Sequence, residues 1–161
     1  MRRKDKEITD IDEKLSIIHK CKICRIALSE KNKPYIIPLN YGYNFENNLL
    51  TLFFHSALEG KKMEMMKNNN HACFEIDCDT KLIEAGNPCK YGYAFRSIIG
   101  FGKIFFLEET KEKIEGLNRI MEQQTGKKEI YEYSQEALNN VVVYKMAVED
   151  FTGKQKDFPS N

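Results

Sequence analysis

The stretch 91–107 constrains the fold of this chain more than any other. Aromatic and β-branched residues fill it, yet it is too long for one flat strand, and Gly100 and Gly102 mark a bulge or strong bend within it. Strands that wrap a small barrel bend in this way. The rest of the chain reads as mostly β with a few helices. Asp10-x-x-Glu13 caps an amphipathic helix with Ile11, Leu15 and Ile18 as its stripe, ending near Lys20. Strands are expected over 23–29 and 35–43, joined by a hairpin turn at Lys31-Asn32-Lys33-Pro34, and over 49–55 after a turn at 44–48. A helix near 57–68 precedes Ala72-Cys73-Phe74-Glu75-Ile76-Asp77, whose strict alternation puts Ala72, Phe74 and Ile76 on one buried face. Residues 79–90 read as a loop. A helix over 108–124 buries Ile114, Leu117, Ile120 and Met121, a short helix covers 134–139, a last strand covers 141–148, and 152–161 is a polar tail. With no repeat, low-complexity tract or visible boundary, 1–161 is expected to form one domain. Its fold class is α+β, mainly β: a six-stranded antiparallel barrel with peripheral helices.

Composition removes several function classes. The net charge is +1, and no basic stripe interleaves with aromatics, so the footprint of a nucleic-acid binder is missing. The basic start Met1-Arg2-Arg3-Lys4 leads into no apolar segment, and no run could span a bilayer. A soluble, cytoplasmic protein is the expectation. The five cysteines, Cys21, Cys24, Cys73, Cys78 and Cys89, are odd in number and point to reduced thiols. Cys21-x-x-Cys24 could be half of a zinc site or a redox pair, but no second ligand pair answers it, so packed or exposed thiols are expected and no metal.

The segment Phe53-Phe54-His55-Ser56-Ala57-Leu58-Glu59-Gly60-Lys61-Lys62 carries the chemistry. An apolar strand runs into a helix start, with Ser56-x-x-Glu59 as a capping box. Lys61 and Lys62 are unfavourable at the positive end of a helix unless an anion sits there. Two readings stay open: a phosphate cradle, or a solvated face balanced by Glu59 and Glu64. His55 sits beside that cradle and could donate to a phosphate or deliver a proton, with a structural role equally open. His19 at a helix end and His71 at a strand start are read as structural.

The expected strand 35–43 has a second oddity. Pro38 cannot donate to a sheet ladder, which places it at an edge or a bulge, and Pro38, Asn40 and Gly42 leave one face thin. A flat ring could lie there with Asn40 supplying an amide; an ordinary edge strand is the other reading. The glycine patterns of nucleotide hydrolases, Rossmann dehydrogenases and serine hydrolases are absent.

The ordered blocks Cys21-Lys22-Ile23-Cys24-Arg25, Pro34-Tyr35-x-x-Pro38-Leu39-Asn40-Tyr41, Phe54-His55-Ser56-Ala57-x-Glu59-Gly60-x-Lys62, Phe74-Glu75-Ile76-Asp77, Ser97-Ile98-Ile99-Gly100-x-Gly102 and Thr152-Gly153-Lys154 span nearly the whole chain. Together with the opening Met1-Arg2-Arg3-Lys4-Asp5 they resemble the 5-nitroimidazole antibiotic resistance proteins. Those proteins are members of the pyridoxamine 5′-phosphate oxidase-like, FMN-binding split β-barrel superfamily. The resemblance implies a homodimer with FMN, or the larger FAD, at its interface. It implies that Lys61 and Lys62 hold the phosphate, that His55 and Ser56 line the same pocket, and that Ile37, Pro38, Leu39 and Asn40 run beside the flavin ring. Ser97 would reach the ring from a neighbouring strand. The absence of tryptophan and a tail offering only lysines argue against pyridoxamine-phosphate oxidase activity.

The implied activity is an oxidoreductase that reduces nitro groups of 5-nitroimidazole-type small molecules with reduced flavin as hydride donor, His55 or a tyrosine supplying protons. Two alternatives differ in kind: a flavin or haem binder without turnover, and a thiol or zinc protein built on Cys21 and Cys24.

Overall fold

The computed structural model describes residues 3–157; Met1 and Arg2 of the opening block and residues 158–161 of the expected tail lie outside the described residues. The elements are β1 (Glu7–Ile8), α1 (Ile11–Lys20), β2 (Ile23–Glu30), β3 (Lys33–Asn40), β4 (Gly42–Glu46), β5 (Leu49–Ser56), α2 (Lys61–Asn68), β6 (His71–Ile83), β7 (Gly92–Leu107), α3 (Thr110–Thr125), α4 (Gln135–Asn139) and β8 (Val142–Lys156). The strands form one antiparallel sheet in the order β3-β2-β6-β7-β8-β5-β4, with β1 added on β8.

That order fixes the shape. β3 and β4 are the two edges of the seven-strand path, yet only Tyr41 separates them in the chain. Laid flat, the edges would stand about 29 Å apart at about 4.8 Å per strand, whereas the two residue steps from Asn40 to Gly42 reach about 7 Å. The sheet therefore curls until its edges approach without pairing, which is a split barrel. Tyr41 is fully buried at this crossing and donates its hydroxyl to the carbonyl oxygen of Ile18 at 2.5 Å. Gly42 presses on the backbone of Arg119 in α3, where no side chain has room.

The expected bend lies where the glycines are. Pairing between β7 and β8 shifts register between Phe101 and Gly102. A side chain at Gly102 would strike the Ala147 carbonyl, and one at Gly100 the ring of Phe74. Asp10 caps α1 by accepting from the Glu13 amide at 2.9 Å.

Four boundaries differ from expectation. The strand expected over 35–43 is split by Tyr41 into β3 and β4 on opposite edges, and with the short β1 this makes eight strands rather than six. Residues 44–46 belong to β4; the turn shrinks to Asn47-Asn48, both left-handed at φ 53° and 61°, as Lys31-Asn32 are at 48° and 62° in the β2–β3 turn. The loop expected over 79–90 is shorter, because β6 continues to Ile83 past an irregularity at Asp79, φ 57°. Its mostly exposed, polar residues conceal it from a reading based on hydrophobic period. The tail expected over 152–161 is strand as far as Lys156, pairing with both β7 and β1.

The barrel interior is filled by Ile18, Cys24, Ile26, Phe74, Ile98 and Met146, with Phe54 stacked on Tyr144 at 5.5 Å. α2 contributes Met63, Met65 and Met66 to that core. α3 packs outside, on Phe53, Leu107 and Val143 through Ile120; Ile114, Leu117 and Met121 are only half-buried, while Gln123 is buried.

Candidate functional site

β5 ends at Ser56, and α2 begins only at Lys61. The helix N-cap is Gly60, at φ 131°, and no side chain caps it. Ser56-x-x-Glu59 is thus not a capping box. Ser56 is still in the sheet, paired with Val142, and the left-handed turn at Gly60 delays the helix. Lys61 and Lys62 become its first two residues, where the backbone amides lack side-chain acceptors and the helix dipole is positive. Lys61 places its ammonium 4.3 Å from the ring centroid of Tyr35 on β3. Lys62 stands near His55, since its charge helps depress that imidazole. Among the described residues neither lysine has a carboxylate partner, so Glu59 and Glu64 do not balance them by ion pairing.

His55 and Ser56 carry the complementary signal. His55 Nδ1 and Ser56 Oγ are buried and have no hydrogen-bond partner. An unsatisfied buried polar atom costs about 1–3 kcal/mol, so two at one strand end require an explanation. Strand alternation directs them to opposite faces: Ser56 follows Phe54 inward, and His55 follows Phe53 toward α3. Burial, and then the charge of Lys62, hold His55 below its ordinary 6.5, so the ring is neutral at neutral pH and keeps one N–H to donate. The unpaired imidazole nitrogen of His55, beside the charge of Lys62, two lysines without carboxylate partners and a free helix start fit a bound phosphate monoester; Ser56 Oγ is a separate unpaired group on the inner face.

β3 is the edge strand that Pro38 implied. Ile37 and Leu39 pack against the core, whereas Ile36 (63% exposed), Pro38 and Asn40 face outward. Ser97 lies on β7, which is not adjacent to β3. β2 and β6 stand between them, about 14 Å along the sheet at about 4.8 Å per strand. Between them Arg25 donates to Glu75 at 2.9 Å and to Asp77. Ser97 lines a cavity of about 270 Å³ with Ile99, Thr152 and Lys154. Arg25, Glu75, Asp77 and Lys154 were within the resembling blocks without a role; the alternation that sends Phe74 and Ile76 inward was the signal that their charged neighbours share the outer face.

Cys21 and Cys24 are buried, and burial pushes both thiols well above the ordinary value, leaving them protonated and poorly reactive. Among the described residues no three His, Cys, Asp or Glu side chains are grouped to hold a metal ion, and no helix is long and apolar enough to cross a membrane.

Comparison with known proteins agrees with this architecture. A protein from Bacteroides thetaiotaomicron named "putative 5-nitroimidazole antibiotic resistance protein" is 34% identical, with 92% of this chain and 85% of that one covered at a TM-score of 0.79. The FAD and haem binding protein of Mycobacterium smegmatis (13% identity, 97% and 76% covered, TM-score 0.81) shares the fold, as does flavocytochrome Anf3 of Azotobacter vinelandii (12%, 99% and 73%, 0.80). No curated protein matches. The sequence pattern of the pyridoxamine 5′-phosphate oxidase family matches residues 10–155, nearly the whole curled sheet, and the chain belongs to that family.

Proposed function

We propose that this protein binds FMN in a homodimer and reduces the nitro group of 5-nitroimidazole-type compounds. The observation that carries the reading is the orphaned His55 Nδ1 beside Lys62, at a helix start whose two lysines have no carboxylate partner. The name of the Bacteroides relative supports the substrate class. The flavin, when bound, supplies hydride chemistry. Lys61 and Lys62 would neutralise its phosphate, with His55 and the first amides of α2 donating to phosphate oxygens. The unpaired edge of β3 from Ile37 to Asn40 would flank the ring.

The spacing of the site supports a homodimer. Asn40 and Ser97 are too far apart on one sheet to hold one ring system from two sides, so a second copy would bring its Ser97 to the ring. The outer face between them exposes Ile36, Ile23, Ile99 and Phe101, apolar area that a partner would cover. In this arrangement the protein stacks the substrate and excludes water. A proton from His55 requires the imidazolium, which its surroundings disfavour, so His55 serves first as a hydrogen-bond donor.

Titration of flavin-free protein with FMN, read by absorbance and heat, tests the binding. A colourless protein without heat of association refutes it, and a Soret band in the purified protein replaces flavin by haem. Single-turnover reduction of a nitroimidazole by the photoreduced holoprotein tests the activity, and no bleaching of substrate absorbance refutes it.

A further inference from the structure

At the end of the sheet remote from α2, two lysines stand over one aromatic ring and a third lies beside them. The ammonium of Lys6 stands 6.0 Å, and that of Lys154 5.6 Å, from the ring centroid of Phe95. Lys156 pairs with Phe95 in register, so its side chain leaves the same face, and its ammonium occupies the room left by the missing side chain of Gly92. Among the described residues none of the three has a carboxylate ion-pair partner. Asp5 is bound by Arg3, Asp79 and Asp157 by Arg96, and Glu7, opposite Lys154 in register, makes no ion pair with it.

Gathered ammonium groups repel. Lys6 is depressed from its ordinary value by loss of hydration first, and then by Arg3 and Lys156. Attraction to the Phe95 ring offsets part of that cost. The arrangement is favourable when an anion sits among the three. A cleft of ≈ 530 Å³ opens beside them, lined by Phe95, Arg96, Lys156, Lys20 and Lys81 and by the carboxylates Asp79 and Asp157, which Lys20 and Arg96 already pair. This is not the site at α2: β7 runs about 23 Å between the level of Tyr35, near Gly102, and Phe95, at about 3.3 Å per residue.

We propose that the Phe95 lysine cluster is a second anion site, which docks a small molecule carrying two or more negative charges on clustered phosphate or carboxylate oxygens. Lys154 pairs with Ser97, so such a ligand would lie next to the face assigned to the flavin ring. Its placement beside the flavin ring rests on the flavin reading, whereas its binding does not.

Calorimetric titration with inorganic pyrophosphate, and separately with citrate, tests the site in protein with and without saturating FMN. Saturable binding of either probe is expected, weakened at least about tenfold in the Lys154→Met, Lys156→Met double variant, as loss of charge-assisted hydrogen bonds implies. It should weaken with added salt and persist in Lys62→Met. Pyrophosphate binding tighter than citrate names a phosphate ligand, and the reverse names a polycarboxylate. Absence of saturable binding overturns the proposal, as does binding that survives the double variant, disappears on saturation with FMN, or is lost in Lys62→Met. Lys6→Met, outside the main sheet, gives the same test if the double variant does not fold. Failure of FMN to bind while pyrophosphate binds would sink the flavin reading alone.

Discussion

Lys61, the first residue of α2, holds its ammonium 4.3 Å from the ring centroid of Tyr35 on the edge strand β3. This contact ties the helix start to the sheet edge and leaves Lys62 toward His55, so the two adjacent lysines do different work.

Replacing Lys62 by Met should weaken FMN binding about tenfold or more, the scale of one charge-assisted contact. Tyr35→Leu, which removes a cation–π contact of about 0.5–2 kcal/mol, should weaken it a few fold. Fluorescence titration with FMN measures both, and equal affinity in Lys62→Met would remove that residue from the phosphate site.

His55 makes the flavin-free protein sensitive to acid. Its folded-state value is depressed, by burial and then by Lys62, so below about 6.5 the unfolded chain binds the proton that the folded chain refuses. Stability from this group is complete above 6.5 and is lost as pH falls through that range. The urea midpoint should therefore drop between about pH 7.5 and pH 5.5, by less than a fully buried ring would give, because His55 is only half-buried. His55→Gln should flatten that dependence.

Gly42→Ala should destabilise the fold by about 3 kcal/mol or prevent folding, since overpacking against backbone cannot relax by a rotamer change. The added methyl would strike the backbone of Arg119 and Ile120 at the crossing between the two sheet edges. Thermal unfolding checks this, with Gly86→Ala, where nothing lies within 4 Å, as the neutral control.

Thiol labelling should be dominated by Cys89, the one exposed cysteine among the described residues. Cys21 and Cys24 should react only on unfolding. Rapid labelling of either in native protein would contradict their burial and protonation.

Much of the barrel was legible from local pattern. The alternation of Ala72, Phe74 and Ile76, the cap at Asp10 and the glycines at the β7 bend all act through neighbours a few residues away. The continuation of β6 past Asp79 and of β8 to Lys156 was not, because those segments are held by backbone pairing while their side chains are largely polar. Of the candidate site, His55, Lys61, Lys62 and Pro38 stood out by residue type. The sequence could not show that Ser56 is a partnerless buried hydroxyl rather than a helix cap, since that turns on the backbone at Gly60.

By itself, the sequence determined the element types, the two neighbouring cations and the family, because period, turn chemistry and motif order are written along the chain. Tertiary structure alone decided that Tyr41 divides two opposite sheet edges, that Asn40 and Ser97 stand three strands apart, and that Lys6 and Lys154 meet over Phe95, which Lys156 pairs in register. Those relationships arise from strand order and register, which couple residues far apart in the chain through backbone hydrogen bonds that no local pattern encodes.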